Sequence, residues 1–162
     1  LKTTNAMNIK ALKQFLIDSN KAGYAGGQEK KWIKEVDGST TIPFQKGEWR
    51  SHDNFFGGEP YGGRLVVFYK NKPVWIMVYY GLILNGIIVN PIYAMLRNAL
   101  KNMPDDAPFR GPKELKNDKL TYSNTWKGTI EQYSGEENIT QGGKIVYKAN
   151  YRGGLVNQRQ GV

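Results

Sequence analysis

The chain has 162 residues, 40% of them apolar, and a formal net charge of +9. That length suits one domain with a full hydrophobic core, and ten tyrosines with four tryptophans exclude a disordered composition. Without cysteine and with His52 as its one histidine, the chain has no material for disulfides or thiolate chemistry, and a single imidazole for any zinc site or serine–histidine triad.

Residues 1–6, LKTTNA, lack the apolar core of a signal peptide and are set aside as a cloning remnant before a start at Met7, giving a domain over 7–162. From 8 to 22, Ile9, Leu12, Phe15 and Leu16 recur at helical spacing, with Gly23 as a stop. Residues 23–48 offer one strand near TTIPF. RLVVFYK and PVWIMVYY are β-rich runs that form a hairpin around Asn71-Lys72. Residues 73–96 hold no charge and are long enough to cross a bilayer. Gly81, Asn85, Gly86, Asn90 and Pro91 interrupt them, so consecutive buried elements and no membrane contact are expected. A second helix follows, capped by Asn90, with Ile92, Met95, Leu96, Ala99 and Leu100 on one face and an end at Pro104. From 119 onward the pattern is antiparallel strands joined by glycine turns.

A repeat is visible in the spacing. Trp49-Arg50, Phe56 and Gly58-Glu59 are answered by Trp126-Lys127, Tyr133 and Gly135-Glu136, and GGRLVVFYK is answered by GGKIVYK. Convergent hairpin chemistry would also produce this, but duplication explains more of it. The expected fold is therefore α+β: an antiparallel sheet with two packed helices, built as a pseudo-twofold duplication of a helix-plus-strands unit, with halves at about 8–88 and 89–156.

Taken in order, YAGG (24–27), FGGEPYGG (56–63), PVWIMVYYG (73–81), FRGP (109–112), YSGEE (133–137) and VYKANYRGG (146–154) resemble a bacterial domain family of unknown function. Its members occur alone or behind an XRE-type helix-turn-helix domain. Val78 departs from the family's pattern, where Asn is expected, and 28–48 match none of it. The resemblance implies an α+β domain, a helix-turn-helix regulatory partner and a cytoplasmic, transcription-linked setting, with no established activity.

Glu59 and Glu136 are the first candidate site residues, each in a glycine-rich stretch among aromatics. Two roles fit: pinning a turn by accepting backbone N–H bonds, or holding a cation in an aromatic pocket. Turn-pinning needs no ligand. Of the two, Glu59, flanked by Phe56 and Tyr61, is the better ligand contact, and Glu136, next to Glu137 and near Tyr133, the structural one. On the most apolar strand, alternation sends Trp75 and Tyr79 to one face and Tyr80 to the other. Glu59, Phe56, Tyr61, Trp75, Tyr79, Tyr80, Glu136 and Tyr133 thus form the expected ligand-binding set, for a small-molecule or cationic ligand.

The leading function is a non-enzymatic small-ligand-sensing or interaction module, without cofactor or metal. One alternative is weak nucleic-acid binding. Residues 61–162 carry fourteen Lys/Arg against seven Asp/Glu, and Arg110, Lys113 and Lys116 gather in one loop. The other is a carboxylate-based hydrolase, since paired carboxylates can cleave glycosides. His52-Asp53 is a poor dyad, because neighbours on a strand point oppositely.

Overall fold

The computed structural model of the protein describes residues 7–24, 32–84 and 87–156, with Tyr24 described in its backbone alone. Most of the YAGG motif, Asn85, Gly86 and residues 1–6 and 157–162 lie outside them. Helix α1 spans Ile9–Tyr24 and α2 spans Val89–Lys101. The strands are β1 (Ile33–Lys34), β2 (Thr40–Lys46), β3 (Trp49–Gly57), β4 (Tyr61–Tyr69), β5 (Lys72–Ile83), β6 (Glu114–Asn117), β7 (Leu120–Thr129), β8 (Gln132–Gln141) and β9 (Lys144–Leu155). All nine join one antiparallel sheet in the order β1-β2-β3-β4-β5-β9-β8-β7-β6.

Tight turns set this order. Lys70 and Asn71, at φ 49° and 62°, close the β4–β5 hairpin, and Gly142-Gly143, at 55° and 77°, close β8–β9. Both central residues at positive φ is the geometry whose twist matches paired strands. The first hairpin thus turns one residue earlier than Asn71-Lys72. Asn8, not a glycine or proline signal, starts α1 by accepting the Ala11 N–H at 3.0 Å. The α2 cap is Ile88 without a side-chain bond, so Asn90 lies inside the helix rather than capping it.

Both helices cover the same face of the sheet. Leu12, Phe15 and Leu16 of α1 pack with Val67, Trp75, Met77, Tyr133 and Tyr151. The five expected apolar positions of α2 pack with Ile83, Tyr122, Ile139, Tyr147 and Ala149. Trp75, Met77 and Ile83 share one side of β5, while Val78 and Tyr80 on the other are exposed.

Two expectations are overturned. The protein is dominated by its nine-stranded sheet rather than a balanced α+β duplication with halves at 8–88 and 89–156. The matching spacings occupy unlike positions: Trp49 opens β3 and Glu59 follows in a turn, whereas Trp126 lies late in β7 and Glu136 in mid β8. The paired glycines differ as well. Gly62-Gly63 lie within β4, where a Cβ on Gly63 would stand 2.4 Å from the Asn54 carbonyl oxygen, and Gly142-Gly143 form a turn. Equal spacing therefore came from two different uses of glycine. No helix among the described residues is long and apolar enough to cross a membrane.

Candidate functional site

The FRGP segment between α2 and β6 carries a charge into the interior. Phe109 stacks on Tyr133 with ring centroids 4.2 Å apart, and the next residue, Arg110, is 7% exposed. Its Nε and Nη2 donate to Glu137 Oε1 at 3.1 and 2.5 Å. Glu137, on the helix-covered side of β8, is 1% exposed. Tyr147 donates to Oε1 at 3.0 Å and Tyr122 to Oε2 at 2.5 Å, so the carboxylate is saturated with donors. Gly111 continues the seam: its N–H donates to Tyr122 Oη at 3.1 Å, and its carbonyl accepts from Asn124 Nδ2 at 2.9 Å. Burial alone would lower the guanidinium pKa, but the Glu137 charge outweighs it and holds Arg110 well above its ordinary value. Burial, then Glu137, pushes the Tyr122 and Tyr147 hydroxyls up, so both stay protonated donors.

Above this network lies a cavity of about 250 Å³ between α2 and the sheet. Trp32, Phe55, Tyr61, Tyr79 and Tyr93 give it aromatic walls, Leu96 and Leu100 an apolar edge, and Arg97 and Arg110 two cations. Arg110 Nη2 donates to Tyr61 Oη at 3.3 Å, and its guanidinium lies 5.5 Å from the Tyr79 ring centroid. Tyr79 also donates to Asp53. Trp32 meets Phe55 edge-on at 5.9 Å. The Trp32 indole N–H is buried, and among the described residues it has no hydrogen-bond partner. An unpaired buried donor is costly, and this one belongs to a residue that lines the cavity.

Apart from Glu59, the expected ligand set divides three ways. Tyr61 and Tyr79 line this cavity. Trp75, 0% exposed, and Tyr133 stack in the core at 5.5 Å, so neither faces a ligand. Phe56, Tyr80 and Glu136 are exposed, and cross-strand register puts all three in one row on the opposite, uncovered face. Trp32, Tyr93, Arg97 and Arg110 went unanticipated as pocket residues. The signal for Arg110 was the FRGP motif; Trp32 sits in the stretch with the weakest pattern. Arg110 is also no surface cation, because Glu137 holds it inside, while Lys113 lies 5.7 Å from the Trp126 ring and Lys116 pairs with Glu114. His52 and Asp53 do point to opposite faces, His52 towards Phe68 and Asp53 towards Tyr79.

Glu59 is a staple. Oε1 accepts the Ile83 N–H at 2.6 Å and Oε2 accepts the Tyr93 hydroxyl, tying the β3–β4 turn to the end of β5 and to α2. Burial and then the Glu59 bond push the Tyr93 pKa up, so its hydroxyl stays a donor. The roles expected of the two carboxylates are thereby exchanged: Glu59 is engaged, and Glu136 is exposed on the sheet with no side-chain hydrogen bond or ion pair among the described residues. Glu59→Ala is expected to cost about 1 kcal/mol, discounted for exposure, with Glu59→Gln recovering part of it. Glu136→Ala should stay within about 0.5 kcal/mol of the parent. Denaturant melts check both, and equal losses would refute the exchange.

The family model described as Domain of unknown function (DUF5680) matches residues 53–156, more than half of the chain, and the chain belongs to that family. Every cavity residue named above falls inside the matched segment except Trp32. No curated protein and no solved structure matches the chain.

Proposed function

We propose that the protein is a non-enzymatic small-ligand-binding module, and that its site is the aromatic cavity over Arg110. Trp32, whose ring lines the cavity and whose buried indole N–H has no hydrogen-bond partner among the described residues, carries the reading. A flat, largely apolar molecule matches the walls, and an oxygen acceptor on it would take the indole proton. A dry space of ~150 Å³ holds benzene, so about 250 Å³ suits a substituted ring or a fused pair. Arg97 at the rim, with the Arg110 charge already matched by Glu137, favours a neutral or anionic ligand in place of the cation that Glu59 suggested. A helix-turn-helix regulator in a bacterial cytoplasm is the partner and setting of this reading, supported by the order of the sequence motifs.

The test compares naphthoate and indole-3-carboxylate with naphthylmethylamine, a ring system of the same size that carries a positive charge. Aromatic carboxylates should raise the melting temperature, by the equivalent of ~2.7 kcal/mol at a hundredfold excess over Kd. Trp32→Phe keeps a ring but removes the N–H, and should weaken binding about two- to tenfold. A shift with the amine alone, or Trp32→Phe binding as tightly as the parent, would overturn the reading.

A further inference from the structure

The uncovered face of the sheet carries a second pattern. From β3 to β7, one cross-strand row on that face reads Asn54, Arg64, Val78, Arg152, Ser134, Lys127. The adjoining row reads Phe56, Gly62, Tyr80, Asn150, Glu136, Thr125. Lys148, opposite Leu82, stands one row further. Four of these positions are exposed cations: Arg64, Lys127, Lys148 and Arg152. None forms an ion pair among the described residues, and Glu136 is the one carboxylate in the two rows.

Between the cations stand two large rings open to solvent. Tyr80 is 54% and Phe56 51% exposed, an uncommon placement for rings on a sheet that has a covered face available. Gly62 lies between them in the row, and a Cβ there would come 3.0 Å from Tyr80 Cδ2, so the missing side chain is what lets the Tyr80 ring lie down on β4. An open trough of about 750 Å³ runs past Tyr80, Lys127, Ser134, Glu136, Asn150 and Arg152.

We infer that this face binds single-stranded nucleic acid, with Tyr80 and Phe56 as stacking platforms and Arg64, Arg152, Lys127 and Lys148 neutralising the backbone. Each half of the pattern needs the other. Rings alone would suit an apolar partner, and cations alone any polyanion; interleaved, they match unstacked bases on a charged backbone. Strands lie ~4.8 Å apart, so Arg64 and Arg152, two strands apart on either side of Val78, bracket a path roughly 10 Å wide beside Tyr80. Asn150 and Glu136 in the ring row can accept or donate along base edges. His52 on this face reports the same field, because burial first, then Arg64 and Arg50, lower its pKa. A second copy of the chain fits poorly, since these like charges would confront each other. In a duplex the bases are already stacked away from the rings.

The test is fluorescence anisotropy with a short labelled oligothymidine, run from about 50 mM to about 200 mM salt, against the matching duplex and against anionic phosphatidylserine vesicles. Single strands should bind tightest and weaken as salt rises. Tyr80→Ala should weaken binding about fivefold to a hundredfold, whereas Tyr80→Phe should bind like the parent. Arg64→Gln and Arg152→Gln should each weaken binding and flatten the salt dependence, and Glu136→Gln should tighten it by removing a repulsive charge. All four substituted side chains are exposed, so unchanged melting midpoints confirm that each variant folds. No binding at low salt, tighter binding to duplex or vesicles, or Tyr80→Ala binding like the parent would overturn the inference.

Discussion

Glu137→Ala is expected to cost about 3–5 kcal/mol, because it leaves the Arg110 guanidinium buried without its counter-charge. The same substitution strands the hydroxyl donors of Tyr122 and Tyr147. With a whole-domain stability of ~5–15 kcal/mol, the variant should lose much of its folded population, and Glu137→Gln supplies a milder arm. It keeps the volume and an acceptor oxygen but removes the charge, so it should still lose well over 1 kcal/mol. Replacing both partners, as Arg110→Met with Glu137→Leu, should be less damaging than the two single losses added together, since neither charge is then left alone. Denaturant melts of the four proteins give the coupling directly. A Glu137→Ala loss below about 1 kcal/mol would mean that the pair is not buried as described.

Trp75→Ala is the second large effect, at about 3–5 kcal/mol. Trp75 is sealed in the core, donates its indole N–H to the Ile130 carbonyl at 2.9 Å and stacks on Tyr133. The substitution opens a cavity beneath α1 and unpairs a carbonyl in the β7–β8 turn. Trp75→Phe should lose less, yet it still strands that carbonyl. Affinity at the aromatic cavity should survive in Trp75→Phe, because Trp75 does not line it. A Trp75→Ala variant that melts like the parent would return Trp75 to the list of possible ligand contacts.

These two residues show what the sequence could and could not reveal. The apolar stripe of α2 was legible because Ile92, Met95, Leu96, Ala99 and Leu100 recur at the period of a helix, and the same local rule placed Trp75 and Tyr79 opposite Tyr80. Period says which side of an element a residue occupies; it does not say what covers that side. Trp75 and Tyr79 share a face, yet one is in the core and the other lines the cavity, a difference set by α1 and α2 packing over different parts of the sheet.

The site was hidden for a related reason. Arg110 and Glu137 are far apart in the chain and meet through sheet order, so the sequence groups Arg110 with Lys113 and Lys116 in one basic loop rather than with its buried partner. Glu136 drew attention over Glu137 through its spacing from Trp126, but alternation on β8 turns Glu136 to the open face and Glu137 inward. The duplication rested on glycines, and glycine serves both a strand under crowding and a turn at positive φ. Identical dipeptides thus marked unlike places.

The measurement closest to the central claim follows the indole N–H signals in proton–nitrogen correlation spectra while naphthoate is added, with the Trp32 signal assigned by its loss in Trp32→Phe. Four tryptophans give four such signals. The account expects the Trp32 signal to move saturably to lower field as it gains an acceptor, the buried Trp75 signal to stay in place, and Tyr93→Phe to leave the response intact. A Trp32 signal that ignores naphthoate while the melting temperature rises would contradict it, because binding would then lie outside the cavity over Arg110.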